Sequence, residues 1–522
     1  MKQVLHIFHK DVQRHRLEIL ASMAIMAAFA WYEVRSWVLD GDLVYGLRGW
    51  FGFQFLSGLV APLVPISWAF VIVRVIQGES LVGDRQFWIT RPYEWKKLLA
   101  AKVLFVLVFV NLPLLIADVV LLAKAGFKPT SYVSGLLWMQ LQITLFFILP
   151  TAALAAVTAS VLQVGLALLV IVLYMVGMAA LASQIPSSNF SGPADSLTAV
   201  LFLGTCIAVI LWQYSRRQTA VSRWLIGGLA VALLLILVAT PYRAIVAREY
   251  PRLGTGRPPV QLAVLPVKPS VAEATSDQKE GSEVQIQLPL AVSGIADGSI
   301  VELSGMMVAI ETPGGLQWNS GWVNSGSSLL FPDQKSTQIS FTINKDFFKR
   351  AQASPVNARI WLALTLFRDV DQRNFVTPHG EFAMPEAGLC SAESVSYRRI
   401  HCRAPLRGPT FLLITSDMSA SNCPLQEGES PASPGEIARG WQRNSESAPA
   451  EFGISPVKIV DLFVSDLSPF ANRHNAGICP GTPLTLSRPQ LVQRSQTALE
   501  LRDLRLADYR FSYGRFGSIV VR

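Results

Sequence analysis

Long runs of apolar residues without a charge fill the first half of the chain, whereas shorter runs of alternating apolar and polar residues fill the second half. Residues 49–73, 196–215 and 224–242 contain no Asp, Glu, Lys or Arg. A helix needs about 20 mainly apolar residues to cross the hydrocarbon core of a bilayer, where no water can satisfy its backbone. Each of these three stretches therefore predicts one membrane-spanning helix.

The remaining apolar stretches predict four further spans. Residues 129–194 also lack any charge but are too long for one helix. We expect two helices that fold back at residues 158–163, and three shorter segments are the alternative. Residues 99–122 predict another span, and residues 17–39 predict the first, with charged side chains near its ends that can reach the interface. The total is about seven spans by this length criterion.

Alternation with a period of two marks the second half of the chain. It occurs at residues 284–288, 337–341 and 360–367, between segments that contain Gly, Pro, Asn and Asp. This pattern is typical of antiparallel strands with one buried face. Residues 499–506 also alternate, so we expect the C-terminal segment to return to the sheet. Two polar stretches rich in Pro, Gly and Ser are predicted to be loops: 421–447 and 467–489.

These patterns predict an α-helical transmembrane bundle of about seven spans, followed by a mainly β, sandwich-like extracytoplasmic domain. The predicted organisation is a cytoplasmic amphipathic N-terminal helix at 1–16, a transmembrane domain at 17–242 with a cytoplasmic loop at 77–102, a juxtamembrane segment and linker at 243–283, and the β-rich domain at 284–522.

Composition agrees with a membrane protein. Of the 522 residues, 51% are hydrophobic and only 16% are charged, whereas about 25% are charged in an ordinary soluble domain. The formal net charge of +9 does not indicate a nucleic-acid partner, because much of the Lys and Arg lies in short loops between the predicted spans. In such loops a basic bias reports membrane topology.

The loop charges predict the orientation of the bundle. Thirteen Lys and Arg residues lie on the side of the N-terminus: Lys2, Lys10, Arg14, Arg16, Arg74, Arg85, Arg91, Lys96, Lys97, Lys102, Arg216, Arg217 and Arg223. Four lie on the other side: Arg35, Arg48, Lys124 and Lys128. The positive-inside rule then places the N-terminus in the cytoplasm. Seven spans would leave everything after Tyr242 in the periplasm or outside the cell, which predicts a multi-pass protein of a bacterial cytoplasmic (inner) membrane. A signal peptide cleaved near Ala28-Phe29-Ala30 is the alternative for the first span.

The cysteines point to the same topology. Cys206 is alone in a span, whereas Cys390, Cys402, Cys423 and Cys479 lie in the β half. An even number of cysteines in an oxidising compartment predicts two disulfides. The close pair Cys390 and Cys402 would leave Cys423 with Cys479, although four cysteines allow three pairings. A zinc site is the alternative, but the spacing does not follow the usual ligand patterns.

Motifs that carry enzyme chemistry are missing from the sequence. It contains no Gly-Lys dipeptide, and therefore no phosphate-binding loop, and it has neither H-E-x-x-H nor G-x-S-x-G. We expect no catalytic residues, no metal and no cofactor, and an intramembrane enzyme is the weakest functional class. The N-terminal histidines His6, His9 and His15 accompany an amphipathic face with Leu5 and Phe8, which favours an interfacial helix over a metal site.

One charge lies within a predicted span, towards its outer end. Asp118 is about 24 Å from Lys102 along a helix that rises about 1.5 Å per residue. A charged residue inside the membrane is a functional-site hypothesis by default. We interpret Asp118 as an interfacial or structurally paired residue, with a relay as the alternative.

The loop at residues 77–102 is the most informative segment. Its first part predicts a short amphipathic helix, with Trp88 on the apolar side and Asp84 and Arg85 among its charges, and Pro92 ends it. A solvated loop that only anchors the topology is the alternative.

This segment resembles the type-2 permease subunits of ATP-binding-cassette transporters. Those permeases have a cytoplasmic N-terminal helix and a loop after the second span that begins with Glu, forms a short coupling helix, reaches a Pro and ends in a Lys that opens the third span. Glu79, Gly83, Pro92 and Lys102 match this pattern. The resemblance covers about the first 240 residues, and it implies that Glu79 and the helix after it dock on the ATPase.

The resemblance also implies the partners of the chain. They would be a separate ATP-binding-cassette ATPase subunit, a second permease copy or paralogue, and the lipid bilayer, with no nucleic acid. Family members typically have six spans, whereas this chain adds a seventh and a β domain. A membrane-anchored sensor or binding protein, in which the β domain does the recognition, is the alternative function.

Overall fold

The computed structural model describes most of the chain. The described residues are 2–37, 53–78, 94–182, 185, 192–252, 259–266, 283–323, 328–378, 380–384, 387–391, 399–405, 411–417, 437–443, 454–463 and 480–510. The segment at residues 79–93, where the docking helix is predicted, lies outside them, and so do Cys423 and Cys479.

Within the described part of the first half, seven helices are long and apolar enough to cross a membrane. Spans 1 to 7 are Arg16–Ser36, Leu59–Gln77, Trp95–Lys124, Pro129–Val157, Val161–Ala182, Ala194–Arg216 and Thr219–Ala239. The predicted number of spans is therefore confirmed. The uncharged stretch forms two spans, and the chain reverses between Val157 and Val161 as the sequence predicts, so the alternative of three segments is wrong.

The helices of this half are named in chain order. They are α1 (Lys2–Arg14), α2 (Arg16–Ser36), α3 (Phe53–Gln77), α4 (Trp95–Val106), α5 (Leu112–Lys124), α6 (Val133–Ile143), α7 (Leu149–Val157), α8 (Val161–Ala182), α9 (Gly192–Arg216), α10 (Thr219–Ala239) and α11 (Tyr242–Glu249). Helices α4 and α5 together make span 3, and α6 and α7 belong to span 4. The short helix α11 follows the last span.

Spans 3 and 4 each contain one π-helical turn. Leu107–Asn111 joins α4 to α5, and Thr144–Ile148 joins α6 to α7. Each turn is followed two residues later by a proline, Pro113 or Pro150. Proline has no backbone N–H and its ring clashes with the preceding turn of an α-helix. A wider π turn lets the helix continue past the proline, and such turns are frequent at functional sites.

Spans 5 and 7 bury few of their side chains within the chain. Only 6% of the apolar window of each is buried within the protein, compared with 44% for span 4. Their exposed side chains are almost entirely aliphatic, as in Leu169, Val172 and Leu235. Because such surfaces are stable only away from water, these spans face lipid or another membrane protein, and the chain is a multi-pass membrane protein.

The second half of the chain is mainly β, as predicted. Its strands are β1 (Gln261–Val264), β2 (Glu283–Ser293), β3 (Ser299–Glu311), β4 (Gln317–Val323), β5 (Ser328–Leu330), β6 (Ser336–Asn344), β7 (Val356–Arg368), β8 (Arg373–Val376), β9 (Glu381–Met384), β10 (Gly388–Ser391), β11 (Arg399–Pro405), β12 (Phe411–Asp417), β13 (Ile437–Arg443), β14 (Val457–Phe463), β15 (Pro483–Ser487) and β16 (Gln490–Leu504), with helix α12 (Lys345–Ala351) after β6. The C-terminal strand β16 pairs with β7, so the predicted return to the sheet is confirmed. The prediction of loops at 421–447 and 467–489 is wrong in part, because β13 and β15 lie within them. Both strands form part of the β12 sheet, and their Gly, Arg, Pro and Thr content hid the alternation.

The described strands form four antiparallel sheets that enclose two cores, and a third apolar cluster, which includes Phe367, Phe411 and Leu413, packs the large sheet against the β12 sheet. Sheets β1-β2-β6 and β16-β7-β3-β4 enclose the larger core, which includes Ile286, Val308 and Ile360. Sheets β14-β11-β10-β9 and β13-β12-β15-β8 enclose the smaller core, which includes Ile400 and Ile414. Both cores follow from alternating side chains that meet between two facing sheets.

Helix α11 attaches the last span to the β half. Val246 and Tyr250 pack against Trp322 and Ala363 on the outer face of the large sheet. An ion pair of 2.6 Å joins Glu249 to Arg494 in β16. The backbone N–H of Gln496 donates to the carbonyl of Pro251 at 3.0 Å. The joint therefore combines apolar burial, an ion pair and backbone hydrogen bonds.

The predicted pairing of Cys390 with Cys402 is confirmed. These residues lie opposite each other in the β10–β11 ladder and are joined by a disulfide. Both side chains are buried in the smaller core. A structural disulfide persists in oxidising compartments, so its presence is consistent with an extracytoplasmic β half.

We expect Cys390 and Cys402 to be oxidised in cells. In a variant with Cys206, Cys423 and Cys479 replaced by Ser, denatured protein should be alkylated at these two positions only after reduction. Replacing both by Ala should then lower the free energy of unfolding of the β half by about 2–4 kcal/mol, because the closed loop constrains the unfolded chain. The measurements are gel-shift alkylation and urea unfolding.

A topology reporter fused after Arg522 provides the matching control. A reporter enzyme that works only outside the cytoplasm should be active at this position, and one that works only in the cytoplasm should be inactive. Free alkylation without reductant, together with a reporter that is active only in the cytoplasm, would overturn both the orientation and the disulfide.

Candidate functional site at the N-terminal helix

A buried ion pair ties α1 to span 3. Lys102 Nζ lies 2.8 Å from Asp11 Oδ2, and only 5% and 4% of these two side chains are exposed. The same ammonium donates to the backbone carbonyl of Val75 in α3 at 3.0 Å. One residue of span 3 therefore binds both α1 and the end of span 2.

The apolar face of α1 brings Asp11 to this position. Ile7 and Asp11 are the buried residues of α1, one turn apart, and Phe8 packs against Phe105 and Phe109 of span 3. Residues spaced by four lie on the same face of a helix. Leu5, which the sequence assigns to this face, is more than half exposed. The face is therefore rotated towards Ile7, and a single carboxylate sits in its middle.

A second contact joins α1 to the other end of the predicted docking loop. Arg14 donates to the carbonyl of Gly78 at 3.1 Å, and Gly78 is the last described residue before that loop. A Cβ at Gly78 would lie 3.2 Å from the carbonyl oxygen of Arg74 and 3.5 Å from the Arg14 guanidinium. This close approach favours glycine. Because Gly78 and Lys102 lie near the two ends of the loop at 77–102, α1 binds the chain on both sides of residues 79–93.

Further hydrogen bonds connect the other turns at this end of the bundle. Gln77 donates to the hydroxyl of Thr158 at 3.1 Å, which links span 2 to the turn between spans 4 and 5. Arg223 donates to the carbonyl of Val157 at 3.4 Å, which links the same turn to span 7. We call Asp11, Arg14, Gln77, Gly78 and Lys102 the loop-base cluster.

His15 lies at the junction of α1 and α2, beside this cluster. Its ring is buried, with Nδ1 at 3.5 Å from Glu18, and neither ring nitrogen has a hydrogen-bond partner among the described residues. Burial lowers the pKa of His15, because the charged form loses its hydration, and the neighbouring Glu18 opposes this shift.

An apolar cavity of about 280 Å³ lies within the bundle between spans 2, 3, 4 and 6. Lys102 and Tyr214 lie at its wall, together with Asn111 and Thr144 from the two π turns, and the other lining side chains are aliphatic or Phe. A cavity of this kind fits an apolar group with a few polar atoms. Its wall includes Lys102, so the loop-base cluster and the cavity are in direct contact.

The structure brings together only part of the predicted site. Lys102 is in the loop-base cluster, whereas Glu79, Gly83, Asp84, Arg85, Trp88 and Pro92 lie outside the described residues. Asp118 is in span 3 but away from this cluster, and it is fully buried with a hydrogen bond from Gln140. Sequence reasoning missed Asp11 and Arg14. Asp11 could have been recognised in the sequence as a carboxylate four residues after Ile7, on the apolar face of the N-terminal helix.

Among the described residues, no group of three or more His, Cys, Asp or Glu side chains is placed to hold a metal. Comparison with protein-family models, curated proteins and solved structures gives no match for this chain. The physical features of the loop-base cluster and the cavity therefore carry the functional argument.

Replacing Lys102 by Met tests the anchor of α1. The change keeps a long side chain but leaves Asp11 buried without its partner. Removing one member of a buried ion pair costs about 3–5 kcal/mol. We expect α1 to detach more often, so trypsin should cleave at Lys10 and Arg14 faster in lipid nanodiscs, and the thermal midpoint should fall.

Lys97 is a matched control in the same helix. Its pair with Glu94 is 2.9 Å long but 40% and 64% exposed, and exposed pairs contribute less than about 1 kcal/mol. Lys97→Met should leave cleavage unchanged, and Asp11→Leu added to Lys102→Met should restore protection. Equal cleavage of the Lys97 and Lys102 variants would contradict the anchor.

Because His15 is buried at the junction of α1 and α2, we expect the protection of α1 from trypsin to depend on pH. The unfolded segment takes up a proton below about pH 6.5, whereas the buried ring takes it up only at lower pH. Protection is therefore expected to be full above pH 6.5 and to decline as the pH falls below it. Trypsin cleavage of α1 at pH 7.5 and 5.5 measures this. His15→Gln should reduce the difference, while exposed His9→Gln should not, and an unchanged difference in His15→Gln would refute the assignment.

Proposed function

We propose that this chain is the membrane-spanning permease subunit of an ATP-binding-cassette transporter, which couples to a separate ATPase subunit through the loop at residues 77–102. The observation that carries the proposal is that α1 binds both ends of that loop, through Arg14 with Gly78 and Asp11 with Lys102. A displacement of the loop by a partner would move spans 2 and 3 together.

The location of the cavity supports the proposal. Lys102 belongs both to the loop-base cluster and to the cavity wall. A shift of Lys102 would therefore directly change the shape of the cavity between spans 2, 3, 4 and 6, because Lys102 itself forms part of the wall. The sequence has no phosphate-binding loop. Under this proposal the partner subunit hydrolyses ATP, and the resulting conformational change reaches this chain at the loop-base cluster.

Spans 5 and 7 provide the surface for a second permease copy or paralogue. Each buries only 6% of its apolar window within this chain, and membrane helices associate through close packing against other helices. Under the proposal, part of this surface pairs with the second permease and the rest contacts lipid.

A membrane-anchored sensor or binding protein is the second candidate, and the α11 joint favours it. Glu249, next to the last span, binds Arg494 at 2.6 Å in the strand β16 that borders the large sheet. A ligand that shifted this sheet would displace α11 and, through α11, the end of span 7. This function requires no ATPase, so the presence or absence of an ATPase contact separates the two candidates.

Cross-linking tests the docking loop. With the native cysteines replaced by Ser, Asp84→Cys should cross-link to a candidate ATPase that carries a phosphate-binding loop and is encoded beside this chain. Lys128→Cys, which the topology places across the membrane, should not. Glu79→Ala and Arg85→Glu should reduce the stimulation of ATP turnover by about tenfold, equivalent to about 1.4 kcal/mol of coupling.

Both variants must insert into the membrane at the wild-type level for this comparison. Wild-type ATP turnover in both, together with no cross-link from residue 84, would reject the permease proposal and favour the sensor.

A further inference from the structure

Four polar side chains meet between spans 3 and 4, away from the loop-base cluster. Asn111 donates to Gln140 Oε1 at 3.1 Å and to Thr144 Oγ1 at 2.9 Å. Gln140 in turn donates from Nε2 to Asp118 Oδ2 at 3.3 Å. We call Asn111, Asp118, Gln140 and Thr144 the intramembrane polar cluster.

Two oxygen atoms of this cluster have no partner. Asp118 Oδ1 and Asn111 Oδ1 are both buried and accept no hydrogen bond from any described residue. The Asp118 side chain is 0% exposed. Unmade hydrogen bonds at buried polar atoms cost about 1–3 kcal/mol each, so such atoms call for an explanation.

No described cation compensates Asp118. The ionisable residues of the elements that pack against α5 are Tyr132 in the turn before α6 and, on α2, Arg16, Glu18, Tyr32, Glu33 and Arg35. Lys124 is on α5 itself. In the part of the chain that the structure describes, none of these side chains forms a hydrogen bond or ion pair with Asp118, whose one partner is the neutral amide of Gln140. An ionised carboxylate that is buried in a membrane span without a cation beside it has a very unfavourable free energy.

We propose that Asp118 is a proton-binding site, with the proton carried on Oδ1. A proton removes the charge without a shell of oxygen ligands, whereas divalent metals such as calcium take about six to eight. The cluster offers two unpartnered side-chain oxygens. The amide of Gln140 holds Oδ2 as an acceptor, which leaves Oδ1 as the protonated oxygen.

The cluster links proton release to the two π turns. Asn111 is the last residue of one turn and Thr144 is the first residue of the other. When the proton leaves to water, the carboxylate needs donors or water that the closed cluster does not provide. Water entry, or a rotation of Gln140, would break its contact with Asn111 and leave the hydrogen bond from Asn111 to Thr144 as the remaining link of the cluster between the two π turns. This step does not depend on the proposed ATPase.

Infrared spectroscopy of the full chain tests the proposal. The protein is labelled with [4-¹³C]aspartate and placed in nanodiscs of ether-linked lipids, which lack ester carbonyls. At pH 7 exposed aspartates are ionised, since their carboxyls titrate near pH 4. We expect one protonated-carboxyl band that moves on labelling, which separates it from glutamates such as buried Glu302. Asp118→Asn should abolish the band, and exposed Asp195→Asn should keep it.

Asp118→Glu should restore a protonated-carboxyl band, and this band should not move on aspartate labelling. Its return would show that the loss of the band in Asp118→Asn reflects the missing carboxyl group and not misfolding. The wild-type spectrum alone also decides, because the absence of a labelled band at pH 7 would overturn the proposal. Loss of the band in NaCl but not in choline chloride at equal ionic strength would also overturn it, in favour of a sodium site.

Discussion

The first half of this structure depends on the absence of water inside the bilayer. There, a polar or charged atom must find its partner within the protein, or the free energy of the folded state rises by kilocalories per atom. Lys102 meets this requirement with Asp11 and the Val75 carbonyl, and Asn111 meets it with Gln140 and Thr144. Helix α1 is therefore a structural part of the bundle, because its Asp11 neutralises a lysine of span 3.

Short, well-packed connections hold the chain together at both ends of the bundle. At the α1 end, the buried ion pair and the Arg14–Gly78 contact hold the two sides of one loop. After span 7, α11 is fixed to the large sheet by Val246, Tyr250 and the Glu249–Arg494 pair. Short connections with few free rotations pass a displacement on, whereas a flexible linker would absorb it.

The sequence predicted what depends on composition and period, and it missed what depends on tertiary contact. Seven spans and the strands β2, β6 and β7 follow from apolar length and from alternation. The Cys390–Cys402 pair was predicted because a short separation favours it. Strands β13 and β15 were missed because they are short and lie within segments rich in Pro, Gly and Ser, which are typical of loops. Asp11 was missed because its partner Lys102 is 91 residues away, and no local pattern joins them.

Span 3 carries two charged residues that differ in how their charge is compensated. Lys102 is neutralised inside the protein and therefore makes a permanent contact. Asp118, about 24 Å further along the helix at about 1.5 Å per residue, is as deeply buried, but its one partner among the described residues is an amide. Under our proposal a proton from solution supplies the compensation. A π turn separates the two positions, and π turns are among the few places where helices kink, so the proposed change of charge at Asp118 would act on one side of such a place while the Lys102 anchor holds the other.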